Sequence, residues 1–237
     1  MKTLLRFNRA RLILGGGLLA AVVVAGCGDD PVAVDPVAQV NKTASTDNQQ
    51  GEAGAVLPRS PEVTILRASG AKAVGETVTF TVETGDGTVV GAVAVSDDRG
   101  TARVTEWTLG QIAAPNSVKA TVSGIEVTFN ADGVAGPATM VVIFAGDEQT
   151  AQVNTEVAVR PQVVVTDQYG NGVDGQTVNF RPVRGGGTVI GNNDVISENG
   201  GFAAVGGWQL GATPVVNLLD ATVLGFPTVQ FRATAIP

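Results

Sequence analysis

Over most of its length the chain alternates apolar and polar residues with a period of two. VTILRA, TVTFTV, AVAVS, ARVTEW, VKATV and EVTFNA are short, rich in Val and Thr, and mostly place every second residue on an apolar face. That alternation predicts half-buried β-strands. Clusters of turn-forming residues separate the runs: ASG, GDG, DDRG and SG, and further on DQYGNG, RGGG and ENGG. Gly supplies positive φ angles there, and Asp and Asn supply side-chain bonds to the backbone. No segment after Cys27 carries a helical period. Strands with turns about every ten residues predict antiparallel sandwiches.

The strands come in two sets. GETVTFTVETGDGTVVG (75–91) returns one hundred residues later as GQTVNFRPVRGGGTVIG (175–191), with nine of seventeen positions identical. The offset already holds at Pro61/Pro161, Val63/Val163 and Gly70/Gly170. One inserted residue then shifts it to 101, giving Gly100/Gly201, Trp107/Trp208 and Leu109/Leu210. A second insertion leads to Phe129/Phe231 and Ala131/Ala233. The two gaps fall near turn-like sequence, as expected for two copies of one domain. The shared positions are mostly Gly, Thr, Val, Ala and Phe, which serve architecture. The second copy opens with a further strand, ATMVVIFAG (138–146), whose first-copy counterpart VAQVNKTAS is more polar. The connection DGVAGP (132–137) is short enough to allow limited hinging and no free tumbling.

The start of the chain breaks the pattern. MKTLLRFNRAR carries four basic residues and no acid, and LILGGGLLAAVVVAG (12–26) is continuously apolar or small up to Cys27. A basic start, a short apolar run and small residues before a cut predict a secretory signal. The run is shorter than the ~20 apolar residues needed to span a bilayer. Val24-Ala25-Gly26-Cys27 resembles the bacterial lipobox. The resemblance implies cleavage between Gly26 and Cys27, lipid attachment at Cys27, and, since Gly28 follows, sorting to the outer membrane. Two or more acyl chains anchor stably where one does not. DDPVAVDP (29–36) then reads as an extended tether.

Composition narrows the chemistry. Without the four basic leader residues, 11 basic residues face 22 acidic ones, a net of −11. An acidic surface repels phosphate backbones, so nucleic acid is not an expected partner. No histidine occurs, which removes the usual general base and metal ligand and every Ser-His-Asp arrangement. Cys27 is the sole cysteine, so no intramolecular disulfide forms and each domain must be held by its core.

In the second copy, RPQVVVTDQYGNGVDGQTVNF, GGGTVIG, the GG before Phe202-Ala203, and DATV resemble the bacterial immunoglobulin-like domains of the invasin and intimin group. The first copy matches more loosely, because ILRASGAKAVGETVTF replaces the Asp-x-x-Gly-Asn turn. The resemblance implies Ig-like β-sandwiches used as rigid spacers or binding modules on a cell surface. The expected organisation is a signal peptide (1–26), a lipidated tether (27–36) and Ig-like domains at 37–132 and 137–237.

Candidate sites are few. Trp107 and Trp208 are either a sugar-stacking platform or core aromatics, and their matched placement beside Leu-Gly favours the core. Asp97-Asp98 and the Glu83/Asp86 pair read as solvated turns, since catalytic or calcium-binding carboxylates need a placement that nothing here provides. The triple glycine 185–187 lacks the Lys-Ser/Thr of a phosphate cradle. Asp167, Asn171 and Asp174, around Tyr169-Gly170, form the richest polar loop; it is a candidate ligand loop, although a hairpin alone also explains it. The expected function is therefore a non-enzymatic, membrane-anchored surface lipoprotein without cofactor or metal. Its domains act as spacers or bind a protein or glycan ligand, with a carbohydrate-binding lipoprotein as the alternative and a hydrolase as a third, weaker reading.

Overall fold

The computed structural model describes residues 34–237, and among them the only helical element is one 3-10 turn, Ala44–Thr46. The first copy builds ten strands: β1 (Val37–Lys42), β2 (Gln49–Glu52), β3 (Glu62–Arg67), β4 (Thr77–Thr84), β5 (Thr88–Val90), β6 (Val93–Val95), β7 (Thr101–Arg103), β8 (Glu106–Thr108), β9 (Pro115–Val122) and β10 (Ile125–Val134). The second repeats them as β11 (Met140–Ala145), β12 (Gln149–Gln152), β13 (Gln162–Thr166), β14 (Thr177–Arg184), β15 (Thr188–Ile190), β16 (Asp194–Ile196), β17 (Phe202–Ala204), β18 (Gly207–Gln209), β19 (Val216–Val223) and β20 (Val229–Ile236).

In each copy a three-stranded sheet faces a five-stranded one. The orders are β1-β3-β7 against β2-β10-β9-β4-β6, then β11-β13-β17 against β12-β20-β19-β14-β16. Small pairs, β5 with β8 and β15 with β18, complete the copies. The alternation read from the sequence sets the faces: Val63 and Ile65 of β3 and Val78 and Phe80 of β4 point inward. Phe129 and Trp107 fill the same core, and Phe180, Phe231 and Trp208 fill its counterpart. Phe180 and Phe231 meet at 6.3 Å between ring centroids. Burying one such side chain contributes about 1.5–3 kcal/mol. These paired cores hold the fold without a disulfide.

Three features depart from a simple reading of the strand pattern. The sandwiches are antiparallel except for one parallel pair in each, β2 with β10 and β12 with β20. ARVTEW, which reads as one strand, divides into β7 and β8. The Val104 amide bonds Pro61 and the Thr105 amide bonds Val90, so the chain changes partners while Val104 and Trp107 both stay buried. Finally, β4 and β5 are neighbours in sequence but do not pair: β4 joins β9 and β6, whereas β5 joins β8. Pro182 lies inside β14 at a register shift between Pro182 and Arg184. Bulges are where a sheet tolerates proline.

Candidate functional site

The polar loop after β13 lies where the two copies meet. Asp167 is 1% exposed. Its Oδ1 accepts the amides of Tyr169 (2.8 Å) and Asn171 (2.9 Å), which shapes the turn. Its Oδ2 accepts the Asn171 side-chain amide (2.9 Å) and the amide of Gly136 in the connection between copies (3.0 Å). Asn171 then reaches the first copy: its Oδ1 accepts the Ala113 amide and its Nδ2 donates to the Gln111 carbonyl, both at 2.8 Å. Tyr169 lies over Gly54, where a Cβ would stand 2.6 Å from the phenol oxygen. Gly54 has a φ of +75°, so glycine is required there twice over, for its conformation and for the close approach. Together these contacts pin a connection that is short enough to hinge. Burial alone would raise the Asp167 pKa, but the hydrogen bonds from Asn171, Gly136 and Tyr169 outweigh it and hold the group below the usual carboxylate value.

Asp174 makes a different contact, within the second copy. Its Oδ1 accepts the amides of Gly200 and Gly201 at 3.0 and 2.7 Å, tying the β13–β14 loop to the β16–β17 turn. All three candidate loop residues thus serve contacts within the protein itself, Asp167 through both carboxylate oxygens and Asp174 through Oδ1.

In the first copy, Arg67 occupies the place of Asp167. Its guanidinium donates to the Asp35 carbonyl at 2.9 Å and pairs with Glu76 at 2.9 Å. The Asp35 carboxylate accepts the Ser69 hydroxyl (2.7 Å) and amide (3.0 Å). Those Ser69 bonds hold the Asp35 pKa below its ordinary value. Both corners therefore grip the chain arriving from the preceding segment, one with an anion and one with a cation.

Both tryptophans are 0% exposed. This overturns the sugar-platform reading, because a ring closed inside the sandwich offers no face to a ligand. Asp97 Oδ1 caps its own turn by accepting the amides of Arg99 and Thr101. Glu83 pairs with Lys119 at 2.8 Å on the outer face of the sheet. Gly185 and Gly186 have positive φ, and a Cβ on Gly185 would meet the Asn217 side chain at 2.4 Å; the glycine run is a packed turn. Among the described residues, no group of three or more His, Cys, Asp or Glu is placed to hold a metal ion, and no helix is long and apolar enough to cross a membrane. Gly26 and Cys27 lie outside the described residues.

Two buried polar pairs escape a strand-pattern reading. Asn116 accepts the Gly110 amide and donates to the Ala114 carbonyl, and Asn217 does the same with Gly211 and Val215. Ser96 and Ser197 clip the start of β4 and β14 by bonding Ala73 and Glu76, and Val173 and Gln176. The offset of 101 carries both pairs, so the repeat itself was the signal that could have found them.

Comparison with known proteins agrees at the level of architecture. The structure is similar to InvD of Yersinia pseudotuberculosis, with a TM-score of 0.50 and 15% identity, over 82% of this chain and 56% of that one. The fold is a tandem of Ig-like β-sandwiches. The adhesin FdeC of Escherichia coli aligns at 15% identity over 85% of this chain and 66% of that one, with a TM-score of 0.43. Invasin, a bacterial integrin-binding protein, aligns at 19% identity over 84% and 39%, with a TM-score of 0.38. The chain thus spans less than two thirds of the length of each. No family model and no curated protein matches it.

Proposed function

We propose that this chain is a non-enzymatic surface lipoprotein, anchored through lipid on Cys27, whose Ig-like domains at 37–132 and 137–237 hold a binding surface away from the membrane. The observation that carries the reading is the clasp at Asp167 and Asn171, which joins two sandwiches end to end through bonds on both sides of the connection. A spacer needs that resistance to folding back on itself, and loops held on a rigid scaffold are where recognition residues concentrate. The resemblance of the second copy's sequence to the Ig-like domains of the invasin and intimin group supports a protein or glycan ligand at a cell surface. The lipobox-like Val24-Ala25-Gly26-Cys27 and the following Gly28 support an exported, lipid-anchored protein of the outer membrane. The test is Cys27→Ser with fractionation and lipid labelling. The reading expects loss of label and release from membranes; a variant that stays membrane-bound contradicts the anchor.

A further inference from the structure

Beside the clasp, a cleft of about 570 Å³ opens between the two copies, within the size range of small-molecule sites, which favour domain boundaries. The first copy contributes Asp86, Thr88, Thr108, Gln111 and Ile112, and the second contributes Tyr169. Ile112 is 63% exposed and Tyr169 40%. Among the described residues, the Asp86 carboxylate and the Gln111 side-chain amide take part in no hydrogen bond or ion pair, although the Gln111 carbonyl serves the clasp.

The repeat supplies an internal control. The residues matching Asp86, Gln111 and Ile112 in the second copy are Gly186, Ala212 and Thr213, on the same architecture. The sandwich therefore forms without a carboxylate, an amide or an exposed isoleucine at these positions. They occur only in the copy whose end faces Tyr169.

We infer that this cleft is a binding site for a neutral saccharide. A carboxylate accepts from neighbouring sugar hydroxyls, a glutamine amide both donates and accepts, and threonine hydroxyls adapt to either role. Tyr169 and Ile112 present apolar surface to the C–H face of a pyranose, with the phenol oxygen as a polar handle. The one charge lining the cleft is the Asp86 carboxylate, which disfavours anionic ligands. Tyr169 is held in place by its amide bond to Asp167, so the clasp and the site share one loop.

The test is calorimetric titration of the purified full chain in detergent with three hexasaccharides: a β-1,4-glucan, an α-1,4-glucan and an N-acetylglucosamine oligomer. A neutral Leu/Ala hexapeptide serves as the competing class. At least one saccharide should bind saturably, and Asp86→Gly and Gln111→Ala should each weaken it roughly tenfold, the scale of losing a hydrogen bond to a charged or buried group. Both variants introduce residues that the second copy already carries, so their melting curves should match the parent's. Absence of binding to all three sugars overturns the proposal. So does binding unchanged by Asp86→Gly, or binding of the peptide alone. None of these results bears on the Cys27 anchor, which fractionation tests separately.

Discussion

The two copies share a core and differ at their surfaces, and the outer faces of the three-stranded sheets show how far apart they have moved. In the first copy that face carries Gln39, Asn41, Glu62, Thr64, Thr101 and Arg103. The matching positions of the second are Met140, Val142, Gln162, Val164, Phe202 and Ala204. Phe144, 59% exposed, meets Phe202 edge to face at 4.6 Å there. Beneath both faces the same buried valines and phenylalanines recur. The corner loops diverge likewise, with Arg67 gripping a carbonyl in one copy and Asp167 gripping an amide in the other. The same core carries either surface, so the outer faces are free to differ while the buried positions are not.

That division is open to mutation. Phe180→Ala should destabilise the second domain by about 3–5 kcal/mol, the usual cost of emptying a buried phenylalanine site. Phe80→Ala should do the same to the first, each read from its own urea transition. A loss near zero at either would mean the shared core is not what holds that copy. Asn217→Ala leaves the Gly211 amide and the Val215 carbonyl without their partner, and should cost about 2 kcal/mol. Asn116→Ala should match it if the clip is a true repeat.

Acid should act on the corners. Asp167 and Asp35 both have folded pKa values below their ordinary ones. A depressed folded value means the unfolded chain binds more protons at intermediate pH, so stability rises with pH there. The contribution is complete above the unfolded value of about 3.9 and is lost as pH falls through the lower folded one. Asp167→Asn should lower the second domain's stability most at pH 7, where the ionised carboxylate contributes fully, and should flatten the acid limb so that variant and parent converge at low pH; an unchanged limb would remove Asp167 from the account. Smallest of all, Phe144→Thr, which installs the first copy's residue, should change stability by no more than about 0.5 kcal/mol, as surface replacements do.

Most of the core could be read from the sequence because the duplication samples each buried position twice. Phe80/Phe180, Trp107/Trp208 and Phe129/Phe231 kept both spacing and type, and large aromatics at matched places in period-two strands point inward. Sheet partners were less legible. Nothing local distinguishes a β4 that turns back on β5 from one that pairs with β9, since the choice is made by residues dozens of positions away. The corner loop shows the same limit. Asp167, Asn171 and Asp174 stood out as a polar cluster, but the groups that Asn171 reaches lie 58 and 60 residues earlier. A turn rich in Asp and Asn looks alike whether it waits for a ligand or already holds the neighbouring domain. Asn116 and Asn217 escape a sequence reading for a related reason: one asparagine in an alternating strand resembles a surface residue until its buried partners are known.

The most direct test is ¹⁵N relaxation on residues 34–237. A clasped tandem should give both domains one shared, elongated tumbling tensor, and Asn171→Ala should split it into two faster ones. Two independent tumbling times in the unmutated protein would contradict the clasp and with it the spacer.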